Sequence, residues 1–219
     1  MSDIRLPLLD PRDLDPEQRA LYAEITGGPR AEGPQLFALT DAEGRLNGPF
    51  NAMLFNPGVG RALQALGSAI RYGTGLTPRT REIAILVVAA AWDSEFERYA
   101  HEPVGRAAGL SETEVRALRD VADPGLTDPV EHAAWSVARA LSERHSLGGA
   151  WYAAARDALG ERALFELSTL VGYYATLALQ LRLFDVGAPR RPPAPMAGPD
   201  GRIAPTERVE QSPDTSQRS

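Results

Sequence analysis

The chain has 219 residues, 43% of them apolar, with 23 cationic and 29 acidic side chains and a net charge of −6, enough for one substantial core and acidic enough to argue against nucleic acid as a partner. It contains no cysteine, which excludes disulfides, thiol redox chemistry and thiolate metal sites. It also contains no lysine, all 23 cations being arginine, which excludes Schiff-base catalysis, lysine-anchored pyridoxal phosphate and a Walker A loop.

In chain order, residues 1–12 read as an extended arm, with Leu6-Pro7-Leu8-Leu9 broken by its proline. Asp15-Pro16-Glu17-Gln18 is an N-cap followed by a first-turn proline, opening a short amphipathic helix that stops at Gly27-Gly28. Phe37 to Leu46, around Asp41-Ala42-Glu43-Gly44, reads as a small hairpin, and Asn47-Gly48-Pro49-Phe50 as a tight turn. Asn56-Pro57 caps a helix with Val59, Leu63, Leu66 and Ile70 on one face and Gly73 and Gly75 at its end.

Thr77-Pro78 then opens a helix over 77–92 that is apolar on nearly every side apart from Glu82, and a further helix covers 94–108. Ser111 with Glu114 is a capping box heading another helix, and Asp128-Pro129 starts the next. Residues 149–160 and 161–186 give two more. Phe165 to Val171 echoes Arg81 to Val87, one glutamate at the head of an apolar helix in each, which reads as an internal helical repeat. From residue 188 onward seven prolines and few apolar residues mark a flexible tail. The expected organisation is one all-α domain over 1–187, with its core in 48–187, and a tail over 188–219.

The chemistry concentrates between residues 77 and 110. Glu97 and His101 are four apart, so a helix puts them on one face. Ser94-Glu95-Phe96-Glu97 also fits a capping box, in which Glu97 only satisfies backbone donors. His132 and His145 read as surface or capping residues, and the three histidines have no ligand-like spacing, so neither a metal nor a cofactor is expected. No apolar run reaches the roughly 18 residues of a membrane span, and Met1 to Arg5 is not a signal peptide, so a cytoplasmic protein without membrane contacts is expected.

Arg81-Glu82, the apolar helix, and Phe96-Glu97-Arg98-Tyr99-Ala100-His101 resemble the signature of the alkylhydroperoxidase-D/carboxymuconolactone decarboxylase superfamily, over roughly residues 48–120. Glu82 and His101 fall at the family's glutamate and histidine. Ser94 and Glu97 stand at the two cysteine positions of the peroxidase-like branch, and Arg98 replaces a usual tryptophan. The resemblance implies an alkylhydroperoxidase-D-like bundle of seven or eight helices with terminal arms, assembled as a homo-oligomer. It also implies a cofactor-independent acid–base enzyme of the decarboxylase-like branch, taking a small carboxylated lactone or unsaturated acid. The expected reaction is decarboxylation, or a related isomerisation, hydration or cyclisation. In that reading His101 donates the proton, Glu82 orients it or relays to it, and Glu97 is a second acid. Trp92, Arg98, Arg81, Tyr173 and Asn47 are the expected substrate contacts, and Arg71 and Arg79 are further candidate cations. The alternative is a non-catalytic binder or scaffold that keeps the fold; a thiol peroxidase is not open to a chain without cysteine.

Overall fold

The computed structural model describes residues 5–28, 36–143 and 147–189. Among these the regular elements are eight helices and no strand: α1 (Pro16–Gly27), α2 (Pro49–Met53), α3 (Pro57–Tyr72), α4 (Pro78–Ala91), α5 (Glu95–Ala107), α6 (Glu112–Arg119), α7 (Pro129–Ser142) and α8 (Gly149–Phe184). His145 and residues 190–219, most of the expected tail, lie outside the described residues.

Most helices begin where a side chain can take up their free N–H groups. Asp15 accepts from the Gln18 amide while the Gln18 side chain returns to the Asp15 amide, and Ser111 and Glu114 do the same for α6. Asn56, Thr77 and Asp128 cap α3, α4 and α7, each followed by a proline in the first turn. α8 is broken at Gly160, whose φ of 79° and ψ of 160° are open to glycine and costly for other residues. The break falls between the two helices expected over 149–160 and 161–186.

Two details differ from the sequence reading. The hairpin around residues 37–46 shrinks to a single antiparallel bridge between Thr40 and Leu46, because Asp41 and Arg45 close the turn almost at once. The turn at 47–50 leads directly into α2, with Pro49 taking the first helical position after Gly48.

α4 is the centre of the molecule, packed against α5, α6, α7 and α8. Every residue from Glu82 to Ala89 is buried, so an all-round apolar helix has partners on all sides. Full burial of each Ile or Leu there is worth about 1.5–3 kcal/mol. Arg79 ties the head of α4 to its neighbours, meeting Glu131 of α7 at 2.8 Å, Glu114 of α6, and the Gly109 carbonyl. That network occupies Arg79 as a structural cation. Glu166, the counterpart of Glu82 in the echoed segment, accepts from the Gly75 amide at 2.9 Å and pairs with Arg162.

Candidate active site

Where α4 passes α5, Glu82 and His101 meet. The carboxylate Oε2 lies 2.7 Å from the imidazole Nδ1, and Glu82 is fully buried and His101 nearly so. The two come from different helices, 19 residues apart in sequence. A carboxylate on Nδ1 fixes the ring's orientation and tautomer. On the other side of the carboxyl group, Arg81 Nε stands 3.9 Å from Glu82 Oε1.

His101 forms part of a cavity of about 30 Å³, room for a water or two, between α3, α5, α8 and the loop before α2. Phe37, Pro49, Phe50, Phe96 and Leu177 make its apolar wall; Arg71, Glu97, His101, Tyr173 and Tyr174 supply its polar groups. The Tyr174 ring stands edge-on to both His101 and Tyr173, with centroids 5.2 Å apart in each case. Gly48 shapes the entrance. Its φ is 61°, and a Cβ there would come within 2.1 Å of the Phe96 ring, so only glycine lets the loop close onto α5.

Glu97 is 2% exposed, and neither carboxyl oxygen has a hydrogen-bond partner. The capping-box reading is therefore corrected: Ser94 holds the N-cap position by backbone geometry, but its side chain makes no capping bond and is itself buried. Glu97 points inward because its helical face is the packed one. Burial pushes its carboxyl group up to about 8, an effect the nearby Ser94 hydroxyl offsets only partly. At neutral pH it is mostly an uncharged acid. Arg71 is the cavity's cation. Burial works against its charge, but Tyr174, Glu82 and Tyr72 more than offset that and hold it above its ordinary range. Its Nε has no partner.

Of the expected substrate contacts, Tyr173 lines this cavity and four others do not. Trp92 ends α4, where Asp93 turns the chain at φ 49°, and faces a separate cavity of about 200 Å³ beside Glu95, Arg182 and Asp185. Arg98 turns back to Asp93 at 2.8 Å. Arg81 stands beside Glu82 and is not among the residues that line the cavity. Asn47 donates from its side chain to the Ala38 carbonyl at 3.0 Å, which with the Tyr99 hydroxyl on the Ala38 amide pins the segment carrying Phe37. His132 is exposed beside Trp135. Among the described residues no group of three or more His, Asp or Glu side chains is placed to hold a metal ion.

The sequence reading placed Arg81 and Arg98 at the ligand and kept Arg71 as a further candidate cation; of the three, Arg71 lines the cavity, and Tyr174 lines it beside Tyr173. The Tyr173-Tyr174 doublet did carry a signal, since adjacent residues on a helix face directions about 100° apart and their contacts must differ. Arg71 follows the buried Ile70 at the end of α3, and only the packing of α3 on α8 shows which way it turns.

An all-helical bundle with a buried carboxylate–imidazole pair beside a small cavity is the class of protein defined so far. Residues 57–140 match the model of the Carboxymuconolactone decarboxylase family. Two solved structures share the fold: the debrominase Bmp8 without ligand, and a cysteine-to-alanine variant of it in complex with 2,3,4-tribromopyrrole. Both align at a TM-score of 0.63 with 15% identity, covering 86% of this chain and 94% and 93% of theirs, respectively. No curated protein matches the chain.

Proposed function

We propose that the protein is a cofactor-independent acid–base enzyme acting on a small carboxylated lactone or unsaturated acid, by decarboxylation or a related proton-transfer reaction. The observation that carries this reading is the convergence of His101 backed by Glu82, the neutral acid Glu97 and the cation Arg71 on one apolar-walled cavity. Arg71 supplies the site for a carboxylate, and its unpaired Nε leaves one donor ready. An enolisable carbonyl beside Glu97 would take up an electron pair as its oxygen receives the Glu97 hydrogen bond. His101 then moves the proton to or from carbon, its Nδ1 held by Glu82 so that the Nε2 edge does the work. In an apolar-walled cavity these interactions are stronger than in water.

That His101, Glu97 and Arg71 all line the cavity supports the enzyme reading over that of a non-catalytic binder. A thiol-based step has no residue to perform it. Self-association of the chain belongs to the same proposal, since α3 and α8 leave apolar side chains such as Val59, Leu66, Leu179 and Leu183 exposed. The test is a panel of carboxylated lactones and unsaturated acids, followed by carbon dioxide release and by proton exchange in nuclear magnetic resonance. Turnover by the wild type that His101→Gln abolishes is the expected result. A panel in which every compound behaves as in buffer would count against the assignment.

A further inference from the structure

With room for a water or two, the cavity must widen to admit a ligand, and its charges say what that ligand carries. From α3 comes Arg71; from α4, Glu82 with Arg81 beside it; from α5, Glu97 and His101; from α8, Tyr173 and Tyr174. Arg81 is held against Glu82 and is not part of the lining, so among the described residues Arg71 is the cation that a ligand meets. The remaining wall is Phe37, Pro49, Phe50, Phe96, Ala100 and Leu177.

Arg71 Nε and both carboxyl oxygens of Glu97 are among the buried polar atoms of the described residues that make no hydrogen bond. They ask for two different things. The guanidinium calls for an anion, in which a carboxylate oxygen accepts its N–H. A protonated Glu97 calls for a neutral acceptor, since a second carboxylate placed beside it would have to share Arg71 with the first.

Resting on the acid–base reading above, we propose that the cavity takes a monocarboxylate, its one anion seated on Arg71 and a neutral carbonyl oxygen on Glu97, and that it rejects dicarboxylates. One consequence concerns the reaction. A lone carboxylate paired with a buried arginine is stabilised before reaction, and that stabilisation raises the barrier to losing it as carbon dioxide. The carboxylate is a handle, and the chemistry is proton transfer at carbon. His101 removes a proton from a carbon conjugated with the carbonyl, and the C–H electron pair shifts toward the oxygen held by Glu97. The proton then returns at another carbon, so the double bond moves and nothing is oxidised, reduced or lost.

The experiment uses the full chain and unsaturated γ-lactones that differ only in carrying no, one or two carboxylates. Calorimetry should show the monocarboxylate binding at least about tenfold more tightly than either relative. In deuterium oxide it should gain deuterium at carbon with its skeleton intact. Arg71→Gln should erase the preference for the charged ligand, and Arg71→Lys, which keeps the charge and loses the fork, should retain part of it. Equal or tighter binding of the dicarboxylate, or carbon dioxide released from the monocarboxylate, would overturn this inference and leave the acid–base reading in place. If the lactones bind without regard to carboxylate, and His101→Gln changes neither binding nor exchange, that underlying reading fails as well.

Discussion

At the scale of single residues, the site is a division of labour among three ionisable groups in one apolar setting. Glu82 is tied to His101, while Glu97 has no partner. Because the first two act together, Glu82→Gln and His101→Gln should each lower turnover by about 10²-fold or more. The double variant should be little worse than either single one, since groups that act as a unit fail as a unit. Steady-state kinetics on the identified substrate measures this; a fully multiplicative double variant would mean independent roles.

Glu97 makes a separate prediction that needs no substrate. Its carboxyl group rises from an ordinary value of 4.5 to about 8 on folding. Below 4.5 both folded and unfolded chains hold the proton. Between the two values the unfolded chain releases it while the folded chain keeps it, so Glu97 costs stability increasingly as pH rises, until the penalty levels off above about 8. Glu97→Gln should remove this slope. Thermal unfolding should show the variant gaining on the wild type between pH 5 and pH 8.5, and parallel profiles would refute the assignment.

At the scale of elements, the loop before α2 and the first turns of α5 form one closely fitted wall, and Gly48 is where they touch. Gly48→Ala must accommodate a Cβ 2.1 Å from the Phe96 ring as well as a positive φ. A loss of about 2–4 kcal/mol is expected, with the ring displaced into the cavity and ligand affinity reduced. Denaturant unfolding together with ligand titration reads both effects. Helix boundaries were largely legible beforehand, because Asp15, Asn56, Thr77, Ser111 and Asp128 announce them through local chemistry. Ser94 has the same local pattern and does not cap, since its helix buries that side of the chain. The Glu82–His101 pair was available only through resemblance: nothing local links residues on two helices. Trp92 was misplaced for the converse reason, because the turn at Asp93 that sends it away from the cavity has no distinctive composition.

At the scale of the whole molecule, α3 and α8 carry several exposed large apolar side chains. Val59 is 62% exposed, Leu66 41%, Leu179 51%, Leu183 64% and Phe165 71%, all on α3 or α8. Faces of this kind associate with one another in water. Light scattering behind size exclusion should give a multiple of the 23.6 kDa chain mass. Leu66→Glu or Leu179→Glu should move the protein toward a single chain. A monodisperse wild-type peak at one chain mass would leave the exposed faces without that explanation.

The unpaired atoms of Arg71 and Glu97 also bear on how the natural ligand can be found. Buried polar groups without partners cost the empty protein about 1–3 kcal/mol each, unless water meets them. A compound that satisfies them therefore removes a penalty on folding, and heat resistance becomes a report of occupancy. Added at about 100 times its dissociation constant, such a compound contributes about 2.7 kcal/mol, or roughly 5–10 °C in melting temperature for a chain of this size. A dye-based melting screen of small acids can thus pick out the cognate ligand while the reaction is still unidentified. Glu97→Gln should blunt the response to the true ligand and leave that of unrelated additives unchanged.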